Sequence, residues 1–218
     1  MKGLLRKDFY LVRHSIILGS MMILFLGIAL VFVLRRIGQV QKIIPTIFTL
    51  ISIVIGGMLE ISISKLDRAI QWDKLANTMP LTQNEIIGEK YIAYSLFCLV
   101  GAVVGLIVST AFALFSDGEW VSLFLRSFLL GMSISFFAGS LLLPGSLLLS
   151  LEKGDLIFLG SYLIACAALF GLIRLFDRFL PYSDHMLLFG GIVCGLSLLC
   201  YVVSYLATAK TYRAKDHA

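Results

Sequence analysis

Six stretches of the chain carry no Asp, Glu, Lys or Arg: residues 14–34, 43–59, 91–115, 127–151, 156–173 and 186–209. Each approaches or exceeds the roughly 17–25 apolar residues that carry a helix across a hydrocarbon core. The pattern predicts six transmembrane helices, at about 14–34, 43–64, 84–115, 121–150, 156–176 and 186–209. The second reaches a spanning length with Glu60 at the membrane lip, where Lys65 and Arg68 follow it as partners for a snorkelled acid. A proton site at Glu60 is the other reading of that residue. The third helix runs from Gln83 to about Phe115, some 33 residues or about 50 Å, well beyond a core of about 30 Å. Its first turns, with Glu85, Glu89 and Lys90, are therefore expected to project into the cytosol.

Between the second and third spans lies a polar insert, Ser64 to Lys90 (SKLDRAIQWDKLANTMPLTQNEIIGEK). Trp72, Leu75, Ala76 and Met79 fall at i, i+3, i+4 and i+7, one face of a short helix. Pro80 ends that helix, because it lacks the donor and restricts the residue before it. Thr82-Gln83-Asn84-Glu85 then forms a capping box, with Leu81 and Ile86 placed for a hydrophobic staple. Asp67, Arg68, Asp73 and Lys74 form the polar rim of this element. Two readings stand: docking on a soluble partner, or rest on lipid headgroups.

Residues 2–13 (KGLLRKDFYLVR) place Leu5, Phe9 and Val12 on one face, with Lys2, Arg6, Lys7 and Arg13 polar. This suits a helix lying in the inner interface, and equally a basic flank that orients the first span. Pro144-Gly145 sits late in the fourth span and reads either as a hinge or as a fixed bend. Gly101-x3-Gly105, Gly131-x3-Ser135-x3-Gly139 and Gly191-x3-Gly195 are small-x3-small patterns that permit close helix contact.

Composition agrees with the membrane reading: of 218 residues 59% are hydrophobic and 14% charged, with a mean hydropathy of +0.97. A soluble domain of this size has no interior large enough for that apolar surface. With the N-terminus inside, 12 of the 18 Lys and Arg residues fall on the cytoplasmic side, and Arg35, Arg36, Lys42, Arg126, Arg174 and Arg178 fall outside, which favours both termini in the cytoplasm. The net charge of +5 is scattered at span ends and forms no phosphate-binding stripe, so nucleic acid is not expected as a partner. Cys98, Cys166, Cys194 and Cys200 all lie in predicted spans, as packing residues.

Catalytic patterns are missing. There is no GxxxxGK[ST] phosphate loop and no HExxH, and His14, His185 and His217 lie at span boundaries or in the tail, so no span core offers a histidine to a serine nucleophile. The chain is not expected to be an enzyme or to hold a cofactor or metal. With a single acid at depth there is no ion-coupling relay, and energy for transport must enter from elsewhere.

The order of features resembles a known family. A basic N-terminus (MKGLLRKDFYL), two spans, the insert, a third span, a fourth ending in Pro144, a cytoplasmic LEKGD turn and two more spans follow one another. This is similar to the small permease subunits of ABC-2 type ABC transporters, in particular the bacterial group with phenol-soluble-modulin and antimicrobial-peptide exporter permeases. The insert carries the group's pattern at Asp67, Trp72-Asp73, Met79-Pro80, Glu85-Ile86 and Lys90-Tyr91, while Gly145–Ser150 departs from it. The resemblance implies that the 66–80 segment is a coupling helix, with Asp67, Arg68, Trp72, Asp73, Lys74, Leu75, Met79 and Pro80 contacting a separate ABC ATPase subunit that binds ATP and Mg. It also implies a second permease copy, identical or paralogous, around a central path, and amphipathic or hydrophobic peptides as substrate. The fold class expected is all-α, with six spans and an interfacial N-terminal helix. The alternative function is a non-transporting immunity or sensor subunit that binds a peptide or lipid-like ligand.

Overall fold

The computed structural model describes residues 2–34, 40–69, 82–113, 120–148, 154–178 and 185–216. Among them stand six α-helices: α1 (Lys2–Leu34), α2 (Val40–Ala69), α3 (Gln83–Ala113), α4 (Trp120–Leu148), α5 (Gly154–Asp177) and α6 (Met186–Asp216). Segments Thr46–Asp67, Asn84–Ala111, Val121–Ser146, Leu156–Asp177 and Met186–Thr211 are each long and apolar enough to cross a membrane. The first helix differs. Its limb Leu5–His14 meets Ile16–Gly27 at 51°, so the break falls where the uncharged run begins.

The largest helix contact is between α2 and α3, and glycine makes it possible. A Cβ on Gly56 would strike the Phe97 carbonyl of α3, one on Gly101 the Ser52 carbonyl of α2, and one on Gly105 would come within 2.9 Å of the Thr49 Cα. Backbone thus lies on backbone, the arrangement that small residues permit where lipid offers no hydrophobic drive. Gly131 and Gly139 of α4 likewise receive Ile53 and Tyr94 side chains. The third small-residue pattern does not follow suit. Among the described residues nothing lies within 4 Å of a Cβ at Gly191 or Gly195.

Around this pair, α4 packs on α2, α5 and α6. The core holds Ile53, Met132, Phe136 and Leu142, while Leu163, Leu199 and Val203 face outward. An apolar outer surface is what a bilayer solvates. The face that Leu5, Phe9 and Val12 share on the N-terminal limb meets α2 and α3. Val12 is buried, and Leu5, Phe9 and Ile16 pack with it against Ile63, Ala93 and Phe97, with the Phe9 and Phe97 rings 5.1 Å apart.

Candidate functional site

Two limbs of the insert's surroundings are well placed to be read, the end of α2 before it and the start of α3 after it. Residues 70–81, which hold Trp72, Asp73, Lys74, Leu75, Met79 and Pro80 as well as Leu81 of the staple, lie outside the described residues, and so does the Arg68 side chain. At the start of α3 the Thr82 amide and hydroxyl both donate to Glu85 Oε2 at 3.0 Å. This is the glutamate half of the predicted capping box; the threonine hydroxyl turns to the carboxylate instead of to the Glu85 amide.

Beyond the cap, four side chains close a ring. Asp67 Oδ1 accepts from Lys7 Nζ at 2.7 Å and Asp67 Oδ2 from Lys90 Nζ at 2.7 Å. Asp8 completes it, 3.3 Å from Lys90 and 3.1 Å from Lys7. Each lysine therefore touches both aspartates and each aspartate both lysines. The ring joins α1 (Lys7, Asp8), α2 (Asp67) and α3 (Lys90). Exposures of 0% for Asp8, 5% for Asp67 and 6% for Lys90 put it in a setting where charge must be compensated, since an isolated ion there costs several kcal/mol.

Glu60 joins the ring from about two turns earlier in α2 than Asp67, with Oε1 3.5 Å from Lys90 Nζ. It is 1% exposed. The expected lip residue, snorkelled toward Lys65 and Arg68, is thus a buried acid whose cation comes from α3. The reason is the close α2–α3 approach, which brings Lys90 to it before solvent can. Glu89 and Lys90 are buried at the start of α3, where the α1 limb and the end of α2 pack over them. Neither Glu60 oxygen, nor Glu89 Oε1, has a hydrogen-bond partner among the described residues.

From Tyr91, next to Lys90, a seam of neutral hydroxyls runs into the bundle. The Tyr91 hydroxyl is 3.0 Å from Ser204 Oγ and 3.1 Å from Thr208 Oγ1 on α6. Tyr201 donates to the Tyr91 carbonyl at 2.6 Å. Tyr94 donates to the Ser135 carbonyl of α4 at 2.7 Å and lies 3.1 Å from the Tyr162 hydroxyl of α5. With no water in the bilayer, each buried hydroxyl needs such a partner. Pro144 belongs to this seam. Lacking an N–H, it leaves the Ser140 carbonyl without its helical donor, and Ser204 of α6 donates there at 2.6 Å. Helix α4 runs unbroken through Pro144 to Leu148, and Gly145 sits where a Cβ would meet the Ile157 side chain of α5 at 2.9 Å. The proline is tied down at this point.

Of the residues singled out in the sequence, the structure brings Asp67 and Glu60 together. It adds Lys7, Asp8, Glu89 and Lys90, and the tyrosines, which spacing alone did not expose. A signal existed for some: Asp8 is the one acid in a basic segment, and Lys90-Tyr91 belongs to the insert pattern. Among the described residues no three His, Cys, Asp or Glu side chains are placed to hold a metal ion. The cysteines are free, with Cys98 in the core and Cys166 and Cys200 on the outer surface.

Residues 3–213 match the family model described as ABC-2 family transporter protein. The chain belongs to the ABC-2 transporter family. No match was found among curated proteins or among solved structures. Members of this family are the membrane permease components of ABC transporters, not themselves catalytic, and work with an ABC ATPase subunit. The charged ring joins both flanks of the insert, Asp67 before it and Lys90 after it.

Proposed function

We propose that this chain is the permease of an ATP-driven exporter in a bacterial plasma membrane, with both termini in the cytoplasm. Its 66–80 segment docks on the ATPase subunit, with Trp72, Leu75 and Met79 as the apolar plug that anchors such an interface. The observation that carries this reading is Asp67, held at 2.7 Å by both Lys7 and Lys90. It ends the helix entering the insert, and Lys90 sits two turns into the helix leaving it. A push on the insert therefore acts on α1, α2 and α3 together. A second permease copy, identical or paralogous, completes the path. Likeness to the peptide-exporter group supports amphipathic or hydrophobic peptides as the substrate class.

Trp72→Ala provides the test. The account expects the variant to insert in the membrane at normal level, to co-purify with the ATPase at least 10-fold less, and to lose peptide efflux. Normal co-purification together with full efflux would remove the coupling segment from the account.

A further inference from the structure

The N-terminal limb has a second edge that neither the ring nor the insert uses. Opposite Asp8 and Val12, a groove of about 280 Å³ lined by Arg6, Phe9, Tyr10, Arg13, Ile16 and Ile17 runs along both sides of the break in α1. Arg6 and Arg13 are both exposed, and neither meets a carboxylate among the described residues. The only acid of the limb, Asp8, is turned inward and consumed by the two lysines. The groove's lining is almost wholly apolar, so the two exposed arginines give it their aliphatic stems and keep their charged heads at its rim.

We infer that this groove holds one anionic phospholipid, its phosphate between Arg6 and Arg13 and an acyl chain along the span of α1. Three observations favour that occupant. The arginines stand two helical turns apart, about 10.5 Å along the axis, and flank Tyr10, which is 68% exposed; a basic pair with an aromatic is the chemistry of the headgroup level. Guanidinium forks also match phosphate oxygens in pairs. The same helix face then continues as Ile17, Met21 and Phe25, exposed by 44%, 64% and 75%, an apolar track in register below the charged end. A second copy of the chain fits worse. Packed face to face about an axis normal to the membrane, it would set its own two arginines at the same depth against these. A single anionic headgroup instead brings a negative charge between them. The site makes no use of the insert, so it stands or falls independently of the coupling proposal.

Native mass spectrometry on the purified full chain, delipidated and titrated with phosphatidylglycerol or phosphatidylcholine, tests this. The expected result is one tightly retained phosphatidylglycerol per chain and much weaker phosphatidylcholine. In Arg6→Gln/Arg13→Gln retention should fall about 30-fold, equivalent to about 2 kcal/mol at about 1 kcal/mol per juxtamembrane charge. Arg174→Gln, at the far end of α5, should not change it. Arg13→Lys, which keeps the charge and loses the fork, should fall by a few-fold; it replaces the double variant if that fails to fold by thermal melting. Equal retention of the two lipids, unchanged retention in the double variant, or displacement of the lipid by millimolar inorganic phosphate would each overturn the proposal. So would a wild-type dimer that the double variant loses while lipid binding persists.

Discussion

The charged ring and the tyrosine seam start from adjacent residues, Lys90 and Tyr91, yet hold the bundle in different ways. The ring is ionic and redundant. Each charge faces two opposite ones at 2.7–3.3 Å, and such attraction falls off slowly with distance, so partners can be kept while helix ends shift. The seam is neutral and directional. The Tyr94 hydroxyl, the Tyr201 hydroxyl and the Ser140 carbonyl make bonds of 2.6–2.7 Å, and hydrogen bonds weaken steeply once misaligned. On the proposed reading, one region passes on a displacement of the insert while the other holds α3, α4, α5 and α6 together.

Lys90→Met should break the ring most severely. It leaves Asp8, Asp67 and Glu60 facing one another with Lys7 as their remaining cation in the ring, and removing one partner of a buried pair costs about 3–5 kcal/mol. The expected outcome is a large drop in thermal midpoint in detergent and reduced membrane yield. Asp67→Asn should cost less, about 2–3 kcal/mol, because Asp8 still faces both lysines. The same melting assay checks the order, and an Asp67→Asn effect larger than that of Lys90→Met would show that the ring is not centred on Lys90.

Gly101→Leu probes the framework that brings both regions together. Overpacking typically costs about 1–3 kcal/mol, and here the obstacle is the Ser52 backbone, so the upper end is expected. Gly191→Leu, in open space, should leave the midpoint unchanged. Of the destabilising variants Tyr94→Phe should have the smallest effect, about 0.6–1.7 kcal/mol, from the average to the maximum for interhelical hydrogen bonds in membranes. If Tyr94→Phe matched Lys90→Met, the division into a movable and a rigid region would fail.

Much of this frame is legible in the sequence, because span length and charge placement are local. The apolar segment Asn84–Ala111 lies within the third span read from the sequence, and the break in α1 falls between His14 and Ile16, where the uncharged run begins. The ring was not legible, since it joins three segments whose members lie 23 to 82 residues apart and helical periodicity links only neighbours. Glu60 shows the consequence. Read locally, its partners are Lys65 and Arg68; in the fold, Gly56 and Gly101 bring α3 so close that Lys90 reaches it first. Tyr201 was hidden for the same reason, 110 residues from the carbonyl it bonds. Pro144 marked a real feature, but its meaning lay on another helix, at Ser204.

The central claim is that the ring transmits the insert's motion, and the ratio of peptide exported to ATP hydrolysed tests it most directly. Asp67→Asn and wild type would be reconstituted in vesicles with the ATPase subunit, with ATPase association measured alongside. The account predicts that the variant keeps its ATPase and most of its ATP hydrolysis, while export per ATP falls about 10-fold or more. An unchanged ratio in a variant that is folded and bound to its ATPase would contradict it.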